Sequence, residues 1–181
     1  MIQAVRRVVS FHWNCQRGLR AVASRRRQRN GSMMKYARLL LFVVLVLGAG
    51  FAIGYLNRPD AWYAALSKPA FNPPNWVFAP VWSIIYLLIA VAGWHVQEQG
   101  SAFSWRLWLA QMVLNFAWSP IFFGLHQPGV ALAVIVALLA AIVAFQIAAW
   151  NADRLSAILF VPYALWVAFA SLLNFEIVRL N

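Results

Sequence analysis

The sequence predicts an all-α membrane protein: a five-transmembrane-helix bundle with a structured Pro/Trp-rich loop between helices 1 and 2. Three observations carry this. Hydrophobic residues make up 64% of the chain and charged residues 10%, against about 25% charged in soluble domains. Charge-free runs about as long as the 20 residues that cross a bilayer recur five times along the 181 residues. Between the first two lies WYAALSKPAFNPPNWVFAPVWSIIY, residues 62–86, too Pro-rich for one helix and too apolar for a solvated linker. Pro59, Pro69, Pro73, Pro74 and Pro80, five of the eight prolines, fall in or beside it. Each removes a backbone donor and pushes the residue before it toward extended geometry. Such a segment lies in the interface or is buried in protein, where its backbone groups find partners.

In chain order, the spans are expected at 39–57, 79–97, 105–124, 130–150 and 156–178. The first contains Gly50-x-x-x-Gly54, two small residues on one helix face. The pair permits close helix approach, either within the bundle or in a homodimer. The second begins near Pro80, since the first helical turn tolerates proline. A polar turn, Glu98 to Ser104, precedes a run without charge from 107 to 152. As one helix that run would be about 70 Å long, more than twice the hydrocarbon thickness. It must be two spans, broken at His126-Gln127-Pro128-Gly129. Asn151-Ala152-Asp153-Arg154 closes the fourth. One multi-pass domain, 35–181, results.

Residues 1–34 hold Arg6, Arg7, Arg17, Arg20, Arg25, Arg26, Arg27 and Arg29 and no acid. Eight of the eleven net positive charges therefore belong to this extension; the other seven basic residues, set against four acids, leave +3. The segment is expected to be a disordered basic arm that meets anionic headgroups, a transit-peptide-like leader, or a gene-model artefact upstream of a start at Met33 or Met34. No folded motif supports a nucleic-acid partner. Five spans put the termini on opposite sides. Lys35, Arg38, Arg106 and Arg154 lie on one side, and Arg58, Lys68 and Arg179 on the other. Together with the extension this places the N-terminus in the cytoplasm.

No catalytic constellation or metal-ligand spacing is present in the sequence, and the single Cys15 forms no internal disulfide. His95 and His126 fall near helix ends and read as interfacial residues rather than haem ligands. The polar residues inside spans say more, because an amide in hydrocarbon must face the bundle or a cavity. Gln111, Asn115 and Trp118 share a helix face, which Phe122 extends by a turn. Trp166, Ala170 and Asn174 share one on the fifth span, and Trp82 and Tyr86 one on the second. Two uses remain open: amides bonded across helices as glue, or a pocket whose flat apolar walls suit a large planar ligand. Glu176 sits one turn from Arg179, near the end of the fifth span.

Several of these residues belong to three ordered motifs. Trp62-Tyr63, Leu66-x-Lys68-Pro69, Pro73-Pro74-x-Trp76 and Phe78-x-Pro80-x-Trp82 form the first. Leu114-Asn115-Phe116-Ala117-Trp118-Ser119-Pro120-Ile121-Phe122-Phe123-Gly124 is the second. Pro162-Tyr163-x-x-Trp166-x-x-Phe169-Ala170-x-x-Leu173-Asn174 is the third. Together they resemble the tryptophan-rich sensory protein / translocator protein family (TspO/MBR, the peripheral benzodiazepine receptor family), over residues 36 to 181.

The resemblance implies a five-helix bundle enclosing a ligand pocket beneath the first long loop. It implies a receptor or sensor for porphyrins such as protoporphyrin IX and for planar drugs, with no required cofactor. It also implies a role in carrying tetrapyrroles or regulating their metabolism. An alternative in some members is light- and oxygen-dependent porphyrin breakdown using the pocket tryptophans, and a membrane scaffold is a third. By the same resemblance Trp82, Trp166, Asn115, Trp118, Ala170 and Asn174 are pocket residues, and Trp62, Tyr63, Lys68, Trp76 and Phe78 belong to the lid loop. Family members occupy mitochondrial outer membranes and bacterial membranes; a bacterial cell membrane is expected here. The family's sterol motif needs a tyrosine, whereas Leu172 to Arg179 contains none, so tight sterol binding is not expected.

Overall fold

The computed structural model describes residues 31–181, so the readings made on residues 1–30 lie outside the described residues. Leu41–Asn181 form one compact unit. Of the preceding unit, Met1–Leu40, residues 31–40 are described and are helical. Among the described residues, five helices are long and apolar enough to cross a membrane: Gly31–Leu56, Asn75–Gln99, Ala102–Gly124, Pro128–Ala152 and Arg154–Leu180. At 1.5 Å per residue each exceeds about 30 Å, the hydrocarbon thickness. The spans begin and end outside the charge-free runs because Glu98, Arg106 and Arg154 are themselves helical, as residues at headgroup level can be.

The first helix, α1 (Gly31–Leu56), stops where Pro59 denies Arg58 a helical conformation. Asn57 closes its end, both its backbone N–H and its side-chain amide donating to the Ile53 carbonyl (3.0 and 2.8 Å). Next comes the short helix α2 (Ala61–Ala65), N-capped by the Asp60 carboxylate. A 3-10 turn, Asn75–Val77, leads into α3 (Phe78–Gln99). Gly100 ends α3 in the left-handed conformation, φ 73°, which glycine adopts without steric cost.

Helix α4 (Ala102–Ser119) widens at Pro120 into a π turn, Pro120–Gly124. The Leu125 N–H closes it by donating to the Pro120 carbonyl five residues back, at 2.8 Å. Such wider turns are rare and gather at functional sites. His126, at φ 55°, makes the reversal into α5 (Pro128–Ala152).

The fifth span departs from expectation. It is two helices, α6 (Arg154–Leu159) and α7 (Val161–Leu180), with a turn at Phe160. Pro162 explains the break: it lacks an N–H and its ring excludes a preceding helical turn.

Helix α5 packs along α4 and α7, and α3 along α6. The core between them is Ile89, Ala90 and Ala92 from α3, Ile135, Leu138, Ile142 and Phe145 from α5, and Phe160, Tyr163 and Val167 from the fifth span. A smaller cluster of Tyr63, Phe122, Ala131 and Ile177 sits beneath α2.

The two glycines of α1 part company. A Cβ on Gly50 would fall 2.3 Å from the Tyr86 ring, whereas one on Gly54 would meet nothing within 4 Å. Close approach inside the bundle therefore involves Gly50 and not Gly54. Alanine raises intrinsic helix stability at both positions, but overpacking against a ring costs about 1–3 kcal/mol. Gly50→Ala is expected to lower the melting temperature in detergent and Gly54→Ala to leave it unchanged or raise it, as read by thermal unfolding.

Candidate functional site

A cavity of about 680 Å³ opens between α1, the lid loop, α3, α4 and α7, inside the 300–1,000 Å³ range of small-molecule sites. Its aromatic wall comprises Phe78, Trp82 and Tyr86 from the second span, Trp118, Phe122 and Phe123 from the third, and Trp166 from the fifth. Trp82 leans on Tyr86 at 5.3 Å between ring centroids, Trp118 stacks on Phe122 at 5.2 Å, and Phe78 meets Trp166 edge-on at 5.7 Å. Ala170 supplies a floor without bulk, and Gly50, Phe51, Gly54 and Tyr55 of α1 close another side.

The polar anchors are tied in sequence. Asn115 accepts from the Tyr86 hydroxyl (3.1 Å) and donates to the Tyr163 hydroxyl (2.8 Å). Tyr163 in turn donates to Gln111 Oε1 at 3.0 Å, and Gln111 donates to the Trp108 carbonyl at 2.9 Å. The Trp108 indole N–H reaches the Ile89 carbonyl at 3.0 Å. A second chain runs from Trp118 Nε1 to Asn174 Oδ1 (3.1 Å), and from Asn174 Nδ2 to the Pro128 carbonyl (2.9 Å). These bonds join spans two, three and five, and spans three, four and five. The Trp166 indole nitrogen is buried without a partner, an uncommon state for a buried donor.

Above the cavity the lid loop is held at four points. The Tyr63 N–H donates to Asp60 Oδ1 at 3.1 Å, and His126 Nε2 lies 3.1 Å from Asp60 Oδ2. The Trp62 ring stacks on the His126 ring at 4.2 Å and meets Phe122 edge-on. Lys68 Nζ caps the end of α2 through the Ala64 and Leu66 carbonyls and lies over the Tyr63 ring. Asn181 pins Ser67 by two hydrogen bonds, accepting from its N–H and donating to its carbonyl. The Tyr63 N–H, and then His126, hold the Asp60 carboxyl below its ordinary value. Burial pushes the Tyr63 hydroxyl up, and a hydrogen bond with Asn72 offsets part of that.

Of the residues that the sequence singles out, Trp82, Tyr86, Asn115, Trp118, Phe122, Trp166, Ala170, Asn174, Tyr63 and Phe78 line the cavity. Gln111 does not; it is wholly buried behind Asn115 as the partner of Tyr163. Trp62 and Lys68 brace the lid from outside the lining, and Trp76 is 74% exposed on its outer surface. His95 and His126 both sit at helix ends facing a carboxylate, Asp153 at 3.8 Å and Asp60 at 3.1 Å. Glu176 pairs with Arg179 at 2.6 Å.

Sequence reasoning passed over Tyr163 as a site residue. Its spacing from Trp166 and Ala170, i, i+3, i+7, is a signal that marks the same face. It also passed over the rim residues Asn57, Arg58, Asn72 and Asn75, for which no periodicity exists.

Residues 42–180 match the model of the TspO/MBR family. The chain belongs to the TspO/MBR family. It is 39% identical over 149 residues to the tryptophan-rich sensory protein of Cereibacter sphaeroides, covering 82% of this chain and 94% of that one. It is 37% identical over 150 residues to protein CrtK of Rhodobacter capsulatus, covering 79% and 94%. The human translocator protein is 36% identical over 126 residues, covering 66% of this chain and 75% of that one. With its five apolar spans and its bacterial relatives, this member of the family is an integral multi-pass protein of a bacterial membrane.

Two expectations follow from the geometry. Asn115→Leu takes the acceptor from the Tyr86 hydroxyl and one of two hydrogen bonds from the Tyr163 hydroxyl, which keeps Gln111, and an unsatisfied buried polar group costs about 1–3 kcal/mol. A clear loss of thermal stability is expected, with a smaller one for Trp76→Ala on the exposed lid surface; unfolding in detergent measures both. The Asp60 contacts need its carboxylate. Because its folded pKa is depressed, their stabilising effect is present above the unfolded value of about 3.9 and disappears as pH falls through the lower, folded value. Amide exchange over residues 61–66, compared at pH 6 and pH 3 by mass spectrometry after correction for intrinsic rates, is expected to rise at pH 3. Asp60→Ala is expected to show the raised exchange at both.

Proposed function

We propose that this protein is a membrane receptor or sensor that binds porphyrins, such as protoporphyrin IX, and similar planar apolar molecules in the cavity between its helices. The observation that supports the reading best is the cavity wall. Seven aromatic side chains from three spans, with an indole on each span, surround a space of small-molecule size, and its inner amides, Asn115 and Asn174, are bonded to hydroxyl, indole and carbonyl groups of the protein. Such a wall offers stacking and apolar burial with few fixed polar demands, which suits a broad flat ring system. The names of the relatives, a tryptophan-rich sensory protein and a translocator protein, agree with a receptor that senses or carries such a ligand.

A second reading has its own support. Trp82 and Trp166 are oxidisable indoles on the cavity wall, as light-driven breakdown of a bound porphyrin in oxygen would require. Titration of the full chain in detergent with protoporphyrin IX, followed by tryptophan fluorescence, tests the first reading. Saturable quenching is expected in the dark. Trp82→Ala and Trp166→Ala are each expected to weaken it about tenfold, the effect of losing roughly 1.4 kcal/mol of ring stacking and burial. Absence of saturable quenching would overturn the reading. Light-dependent loss of the porphyrin spectrum, abolished in Trp→Phe variants that still bind, would establish the second.

A further inference from the structure

Among the described residues, Arg58 is the one charged side chain that lines the cavity. It stands where α1 ends, with its guanidinium carbon 3.7 Å from the centroid of the Tyr55 ring, and Tyr55 lines the same cavity. Asn72 and Asn75 of the lid border that space as well. The acids of the chain are engaged elsewhere. Asp60 is held by the Tyr63 N–H and His126, Asp153 by Ser156 and His95, and Glu176 by Arg179. Glu98 lies at the far end of α3. No described carboxylate pairs with Arg58.

Arg58 is exposed at the mouth of the cavity, and a cation there, above an apolar chamber and without a protein carboxylate beside it, favours an anion at the rim. A guanidinium suits anion capture because it stays charged and its planar fork matches a carboxylate in two parallel hydrogen bonds. The chamber below Arg58 is apolar and aromatic, and its inner amides are bonded to protein. A ligand fitting both regions has an apolar body and an acidic end.

We propose that Arg58 is the specificity-determining residue of the cavity and that the site takes amphipathic carboxylates, the apolar part lying against Trp82 and Trp166 and the carboxylate meeting Arg58 at the rim. The inference rests on the reading of the cavity as a ligand site. It adds the ligand's charge and its orientation. Neutral planar molecules enter the same chamber with lower affinity, because they leave the guanidinium unanswered. A lipid phosphate offers the guanidinium similar chemistry from the bilayer side, and the test separates that source from a ligand carboxylate.

The experiment compares protoporphyrin IX with its dimethyl ester, which keeps the ring and removes the charge. Both are titrated against the full chain and its Arg58→Gln and Arg58→Lys variants in a non-ionic detergent. Because acid and ester partition differently into micelles, the quantity read is the change in their affinity ratio between variants. Arg58→Gln is expected to lower the affinity for the acid about tenfold and leave that for the ester unchanged, with Arg58→Lys in between. An unchanged ratio overturns the proposal. If both affinities fall together, Arg58 is structural; if neither moves, it serves lipid phosphate or solvent. If neither tetrapyrrole binds, the porphyrin reading fails by itself. The ratio is then read with 1-pyrenebutyric acid and its methyl ester, where an Arg58-dependent preference for the acid sustains the inference. Its absence, or no binding, overturns it.

Discussion

A carboxamide placed in hydrocarbon has to find its partners inside the protein. Asn115 finds two tyrosine hydroxyls on two other spans, and much of the bundle's arrangement follows from that. Tyr86 has to approach from α3, which it does because Gly50 on α1 leaves room for its ring. Tyr163 has to approach from α7, which begins at the break that Pro162 enforces. Gln111, one turn earlier on α4, takes up the remaining hydroxyl proton. Each bond is of modest strength, roughly 1 kcal/mol. Their joint effect is directional: they set how three helices are rotated about their axes, which apolar packing leaves loosely determined.

That rotation makes the cavity. With the hydroxyls and amides turned toward one another, the neighbouring turns of the same helices present Trp82, Trp118, Phe122 and Trp166 to a common space. The glue and the pocket are thus successive turns of the same faces. The π turn after Pro120 adds to this by bringing both Phe122 and Phe123 to the lining, where a regular helix would turn consecutive residues about 100° apart. The lid completes the enclosure through polar contacts at its edges. Asp60 with His126 and Ser67 with Asn181 fasten it to the start of the fourth span and the end of the fifth.

Much of the fold was legible in the sequence because the bilayer imposes a length on every span and a cost on every charge. Five charge-free runs and one Pro-Gly break were enough to count the helices and find their loops. The two-helix character of the fifth span was less legible, since Pro162 near the start of an apolar run reads equally as a first-turn proline. The candidate site was half legible. Period-3.6 spacing picked out Asn115, Trp118, Phe122, Trp166, Ala170 and Asn174 as facing inward. It could not tell which inward residue borders space and which borders protein, so Gln111 and Gly54 were placed with neighbours whose surroundings they do not share.

The amino-acid sequence by itself determined the solvent this chain folds in, the number and order of its spans, the family it belongs to and the helix faces turned from lipid. These depend on composition and local spacing, which survive without coordinates. Only the tertiary structure decided where the inward faces meet and where they stand apart. It separated Gly50 from Gly54, sent Gln111 into the hydrogen-bonded chain, joined Asp60 to His126 across 66 positions and left Arg58 alone at the rim. Each of these is a distance between elements remote in sequence. Such distances are set by the packing of whole helices, to which no local pattern is sensitive.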